Sequence, residues 1–251
     1  MNDIYNKYLD KAYRYLSFDS LHKTIENENL RLTRVDQFND PLDNSPFLAP
    51  MDWEMYKSGG NGFIKIAEHH IFSKVFSSMY ICCFCKEYKS ENSYLMWSHY
   101  GKAHSQVCFE LDFSKINYLS SPSEVKYPDS LVIERDRMKS KSSEELGLFV
   151  VTNKLKKWSY EKEVRLIVDI MNPKIKFSDF KSSNDSKFLY ANFDLKNISK
   201  VIFGINAERI KELETIKLFA TRNLNPTFEK MFIDPETLKL ESREYNDKEF
   251  S

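Results

Sequence analysis

Six glycines in 251 residues constrain this chain more than any other feature of its sequence. That is well under the usage of about 7% typical of soluble proteins. Folds that cradle phosphates on a glycine-rich turn need several glycines at fixed spacing. Here no G-x-G-x-x-G follows an apparent strand, and neither G-x-x-x-x-G-K-S/T nor the G-x-S-x-G of a nucleophile elbow occurs. A nucleotide bound by this chain would be held by side chains rather than by a glycine loop.

Charge removes a second group of readings. Lys and Arg number 37 against 37 Asp and Glu, whereas phosphate neutralisation by a basic surplus supplies most of a nucleic-acid binder's affinity. No broad nucleic-acid surface is therefore expected. The short run Lys154, Lys156 and Lys157 offers a local partner for phosphates, but its plainer reading is a solvated helix end, where cations suit the helix dipole. The first ten residues lack an apolar signal-peptide core, and no stretch approaches the roughly 18 apolar residues of a membrane span. A cytoplasmic protein without membrane contact is expected. Cys82, Cys83, Cys85 and Cys108 do not make a disulfide framework, because three of them crowd one apparent strand whose neighbours point to opposite faces.

With 41% hydrophobic and 14% aromatic residues the chain can bury a sizeable core. No linker and no repeat interrupts it, so residues 1–251 are expected to form one domain. Ala12 to Leu16 reads as a strand, and Ser17 as the N-cap of a helix buried through Phe18, Leu21 and Ile25. Leu30 to Val35 reads as a strand that runs into a turn at Asn39-Asp40-Pro41. A loop over 44–62 and a helix from about Phe63 to Ser77 should follow. Strands are expected over Met79–Phe84, Ser105–Leu111 and Glu124–Tyr127, with a short helix over Ser93–Tyr100. Residues 128–143 read as a loop or a partial helix. The second half should hold a helix from Ser143, buried through Leu148, Val151, Leu155 and Trp158 and ending in lysines. Strands over Glu163–Ile170, Lys187–Phe193 and Lys200–Gly204 come next. A helix capped by Asn206, with Ile210, Leu213, Ile216 and Phe219 facing inward, leads to a strand at Thr227–Ile233 and a polar tail over 236–251. The class is mixed α+β.

Four constellations carry chemically useful side chains. In Tyr160-Glu161-Lys162-Glu163-Val164-Arg165, strand geometry from Glu161 onward would put Glu161, Glu163 and Arg165 on one face. Carboxylates two residues apart on a strand lie about 7 Å apart and can stabilise a developing cation. The plainer reading is an exposed strand face bearing a Glu–Arg pair. On the opening strand, Arg14 faces away from Tyr13 and Tyr15 and needs a carboxylate or a phosphate as partner. Asn39, Asp40 and Asp43 either form a turn or offer acceptors to a ribose. Met96-Trp97-Ser98-His99-Tyr100 completes either a core or a ligand pocket. The set Cys82, Cys85, His99, His104 and Cys108 matches no regular structural-zinc spacing, so no metal is expected. A cysteine nucleophile with His99 as its base is unspecified by the spacing.

Taken in order, these pieces resemble the bacterial domain-of-unknown-function family DUF2971. The resemblance runs through Tyr13-Arg14-Tyr15, Phe38 to Pro41, Met96 to Tyr100 and Trp158 to Arg165, and covers roughly residues 12–205. Two departures are Cys85, where the family usually has serine, and His104 to Cys108, which lacks a usual glycine. More weakly, the chain resembles ADP-ribosyltransferases, whose split β-sheet carries an Arg or His on the first strand and a Glu at the start of a later one. That resemblance implies an α+β, split-sheet fold with flanking helices and a site for NAD as substrate. Glu163 would be the catalytic carboxylate, Glu161 its helper and Arg14 the dinucleotide anchor. Tyr13, Tyr15, Asn39, Asp40, Trp97, His99, Tyr100 and Arg165 would line the pocket. A macromolecular acceptor or a regulatory partner, and a role as toxin or phage-defence effector, are expected on the same analogy. Two alternatives stay open. One is a non-enzymatic sensor or partner-binding module, in which Glu161 and Glu163 are simply salt-bridged. The other is a metal-dependent nucleic-acid hydrolase using Asp40, Asp43, Glu161, Glu163 and His99.

Overall fold

The computed structural model describes residues 10–45, 48, 77–90, 92–115, 122–173, 175–176 and 180–246. Strand β1 (Lys11–Leu16) ends at Ser17, whose hydroxyl caps α1 (Phe18–Asn27) by accepting from the Ser20 N–H. Phe18, Leu21 and Ile25 form the buried stripe of α1, as their spacing requires. β2 (Asn29–Arg34), β3 (Met79–Cys85), α2 (Ser93–His99) and β4 (Val107–Asp112) follow close to their expected positions. The expected helix from Phe63, and most of the loop before it, lie outside the described residues.

After the two-residue strand β5 (Ser123–Glu124) come α3 (Leu131–Arg137), α4 (Ser143–Thr152), β6 (Glu163–Asp169), β7 (Phe180–Ser182) and β8 (Phe188–Asn192). β9 (Ile198–Phe203), α5 (Arg209–Thr221), β10 (Thr227–Ile233) and β11 (Leu240–Glu244) complete the order. The architecture is the α+β class expected, with a sheet of mixed parallel and antiparallel pairs. β7 and β11 went unforeseen. Both are short and polar, and what makes them strands is the neighbour they pair with. No helix of the described residues is long and apolar enough to cross a membrane.

The chain divides into two compact units, Met1–Leu30, Cys83–Leu119 and Asn192–Ser251 in the first, Arg31–Cys82 and Ser120–Ala191 in the second. In the first unit β4 runs antiparallel to β1 on one side, with Tyr13 opposite Glu110, and to β9 on the other, with Cys108 opposite Ile202. β9 and β10 are parallel, joined through α5, and β11 pairs antiparallel with β10. Phe18, Phe203, Phe219 and Phe228 build one core layer, with ring centroids 5.8–6.1 Å apart. Trp97, Cys108, Ile202 and Met231 build a second.

α5 departs from the expected phase. Glu212, Thr215 and Phe219 face inward, while Ile210 and Leu213 are 63% and 41% exposed. The physical reason is polar. Glu212 forms a buried ion pair with Lys230 on β10 and accepts from Tyr245 Oη at 2.9 Å, and Thr215 Oγ1 meets His22 Nε2 of α1 at 2.8 Å. A buried charge must be paired, and that requirement outweighs the modest gain from turning two aliphatic side chains inward. Asn206 does not cap the helix, since its Nδ2 donates to Ala103 O. In the second unit β2 pairs antiparallel with β3, β5 with β6 and β7 with β8.

The inverted face of α5 makes a stability prediction. Phe219→Ala should cost about 3–5 kcal/mol, whereas Ile210→Ser should change stability by no more than about 0.5 kcal/mol. Urea unfolding of the two variants reads both, and a large loss at Ile210 would contradict the observed helix phase.

Candidate functional site

The sharpest concentration of charge lies in the second unit, and local structure delivers each of its members. The turn at Asn39-Asp40-Pro41 forms as expected. Asp40 Oδ1 accepts from Leu42 N at 2.9 Å and Asp40 O from Asp43 N at 3.0 Å. Asn44 then adopts a left-handed backbone with φ 56°, which a short amide side chain tolerates. The turn leaves Asn39 exposed and carries Asp43 and Asn44 into the interior.

Lys154 arrives by a different route. α4 stops at Thr152 rather than continuing to Trp158, because the chain turns extended at Asn153 and pairs with Lys126. Lys126 N donates to Thr152 O at 2.8 Å and Lys154 N to Lys126 O at 3.0 Å. The lysines therefore lie beyond the helix, and the expected solvated helix end is corrected for Lys154, which is buried. The stripe of α4 is corrected likewise to Leu146, Phe149, Val150 and Val151.

Glu161 closes a 3-10 turn (Lys156–Glu161), and Lys162 turns left-handed at φ 43° before β6 begins at Glu163. Strand geometry thus starts two residues later than expected. The exposed strand face is also corrected: Glu161, Glu163 and Arg165 are 3%, 6% and 0% exposed.

Arg165 sits at the centre. Its Nη2 meets Asp43 Oδ1 and Oδ2 at 2.8 and 2.7 Å and Glu163 Oε2 at 3.0 Å, and its Nε donates to Glu163 Oε1 at 2.8 Å. Nη1 donates to Asn44 Oδ1 at 2.8 Å and to Val151 O at 3.0 Å. Every nitrogen of the guanidinium is engaged within the protein, so Arg165 holds side chains in place and does not offer itself to a dinucleotide. Lys154 Nζ donates to Glu161 Oε2 at 2.6 Å and Glu163 Oε2 at 3.3 Å, and lies 3.6 Å from Asp43 Oδ2. Both carboxylates of the Glu-x-Glu pair therefore converge on one ammonium. Burial works against the charge of Lys154, but Glu163, Asp43 and Glu161 outweigh it and raise its pKa above the ordinary lysine value. Tyr127 Oη accepts from the Glu163 N–H at 2.9 Å, and burial chiefly pushes its own pKa upward. Phe38 and Trp158 cover the cations, with ring centroids 5.7 Å from Arg165 Cζ and 5.1 Å from Lys154 Nζ.

The remaining sequence candidates belong to the first unit. Arg14 lies over the Phe84 ring at 5.8 Å. Tyr13 Oη donates to Glu110 Oε2 at 2.6 Å, and Tyr15 packs edge-on to Trp97 at 4.9 Å. Trp97 is wholly buried in the core, while His99 and Tyr100 are exposed at the end of α2. Sequence reasoning missed Asn44 and Tyr127, placed Lys154 on a solvated helix end, and weighed Asp43 as a turn residue, a ribose acceptor or a metal ligand. The available signal was Lys154 itself, next to the apolar run Leu148–Val151, where a buried lysine demands acids. Among the described residues no group of three or more His, Cys, Asp or Glu is placed to hold a metal ion.

Glu110, in the first unit, accepts from Lys11 Nζ at 2.8 Å, Tyr13 Oη at 2.6 Å and Ser199 Oγ at 2.6 Å. Burial pushes its pKa up, but the bonds from Lys11, Ser199 and Tyr13 prevail and bring it below the ordinary value.

Residues 96–166 match the model of the family described as Protein of unknown function (DUF2971), and the chain resembles that family. The matched span holds Met96 to Tyr100 and Trp158 to Arg165, and with them Lys154, Glu161, Glu163 and Arg165. No curated protein and no solved structure matches the chain.

Two outcomes test the electrostatics. Asp43→Ala removes the carboxylate that Arg165 Nη2 meets through both oxygens and leaves the buried guanidinium to Glu163. It should lower stability by about 3–5 kcal/mol in urea unfolding, while exposed Asn39→Ala should be close to neutral. For Glu110, a folded pKa below the unfolded one means that its contribution is complete above the ordinary glutamate value of 4.5 and is lost as pH falls below it. Stability of Glu110→Gln should therefore fall less steeply than wild type on acidification below that pH, as followed by thermal melts.

Proposed function

We propose that the protein cleaves NAD at the nicotinamide–ribose bond, passing ADP-ribose to a macromolecular acceptor or to water, in the manner of an ADP-ribosyltransferase. The split-sheet likeness to that fold, and a setting as toxin or phage-defence effector, belong to the same proposal. The observation that carries it is the convergence of Glu161 and Glu163 on Lys154, with Glu163 oriented by two nitrogens of Arg165. As the C1′–N bond breaks, its electron pair leaves with nicotinamide and positive charge develops on the ribose. A carboxylate already held in place faces that charge without reorganising, which is where a preorganised site gains most. Glu163 is the carboxylate assigned to the ribose and Glu161 its helper, while Arg165 and Lys154 are positioning residues.

A second reading is favoured by a specific observation. Both glutamates are ion-paired and almost wholly buried, as a structural hub in a non-enzymatic partner-binding module would require. Nicotinamide release separates the two. The full chain, incubated with NAD in the presence and absence of cell extract as a source of acceptors, should release nicotinamide. Glu163→Gln should lose that release by about 100-fold or more while still showing a cooperative melt. No release under either condition, or equal release by the variant, would overturn the enzymatic reading and leave the hub.

A further inference from the structure

The loop after α2 holds its backbone in an unusual shape. Lys102, Ala103 and His104 have φ of 45°, 52° and 64° in succession, a left-handed run that side chains with a Cβ disfavour. Two of the chain's six glycines serve this loop. A Cβ on Gly101 would meet Trp97 O at 2.6 Å, and one on Gly204 would meet His104 O at 2.2 Å. Backbone bonds secure the shape, together with Asn206 Nδ2 donating to Ala103 O and Ser105 Oγ to Lys102 O. Ala103 N donates to Ser98 O at 3.1 Å, His104 N to Trp97 O at 3.1 Å, Ser105 N to Gly101 O at 2.9 Å and Asn206 N to His104 O at 2.9 Å.

The product of this loop is a side-chain pair that the backbone bonds do not need. His104 Nε2 lies 3.2 Å from Ser98 Oγ. Ser98 is exposed in the last turn of α2, so its hydroxyl is within reach of a substrate. The His104 ring stacks on Trp97, at 6.4 Å and 14° between planes, which fixes the imidazole. Its Nδ1 is buried and has no hydrogen-bond partner among the described residues, so Nε2 is the ring nitrogen that meets the hydroxyl, and it accepts from Ser98 Oγ in the Nδ1–H tautomer. Burial lowers the His104 pKa below the ordinary histidine value, which keeps the imidazole neutral, the form a base requires. His99 turns instead toward Tyr100.

We propose that Ser98 and His104 are a nucleophile and its general base, placed to accept an acyl group from an activated carboxylic ester. Ser98 Oγ forms a bond to the carbonyl carbon as its proton passes to His104 Nε2. The ester C–O bond then breaks, the alcohol leaves with that proton, and the acyl group remains on Ser98 until water removes it. This site is independent of the glutamate pair and of NAD.

A fluorophosphonate probe tests it on the full chain, since attack by the serine oxygen forms an O–P bond and expels fluoride. Peptide mass spectrometry should find Ser98 labelled at least about 10-fold faster than any other serine, including Ser105, whose hydroxyl is committed to Lys102 O at 2.7 Å. His104→Asn tolerates the left-handed backbone and removes the base, so it should slow labelling at Ser98 by about 100-fold or more, the usual contribution of general-base catalysis. Melting curves show whether the variant is folded. The wild-type comparison among serines needs no variant. Ser98 labelled no faster than the other serines, or at an unchanged rate in folded His104→Asn, would overturn the assignment.

Discussion

A guanidinium with no contact to water cannot be left unmatched, and around Arg165 the second unit is arranged to match it. Three stretches are recruited: the turn that ends in Asp43 and Asn44, the last turn of α4, and the opening of β6. Such a cluster contributes little net stability relative to an apolar core of equal volume, but removal of any one partner is costly. Its effect is on specificity of arrangement. The end of α4 at Asn153, the left-handed Lys162 and the burial of Lys154 all follow from charges that must meet.

The first unit applies the same rule on a smaller scale. Glu110 gathers three donors from β1 and β9, and Glu229 gathers Lys200, Tyr88 and Ser242. Glu212 and Lys230 meet under α5 and set the phase of that helix against its own hydrophobic pattern. In each case an ionised group is buried only with its partners, and the apolar side chains fill what remains.

The two chemical readings rest on different physics. The Glu161 and Glu163 pair is rigid, paired and enclosed, which suits charge stabilisation or a purely structural hub. Ser98 and His104 form an exposed hydroxyl beside a neutral imidazole, held by a left-handed backbone that residues with a Cβ disfavour. The scarcity of glycine thus acquires a position as well as a number. Gly101 and Gly204 are both placed where the loop carrying His104 comes into close contact.

Much of the fold was legible in the residues themselves. Ser17 and the spacing of Phe18, Leu21 and Ile25 specify α1, alternation marks β2, and Asn-Asp-Pro marks its turn, because these signals are local and depend on backbone preference and amphipathic period. The Glu-x-Glu-x-Arg run could be seen as chemically loaded, yet whether it faced water or the interior could not. That depended on Asp43, 122 positions away from Arg165, and on Lys154, whose meeting with Asp43 no local pattern encodes. The phase of α5 and the meeting of Ser98 with His104 are of the same kind. Sequence alone determined most of the elements and the residue types available for chemistry, while β7 and β11 needed their partners. Tertiary structure decided which charges meet, because the requirement that a buried charge be paired is satisfied across space and not along the chain.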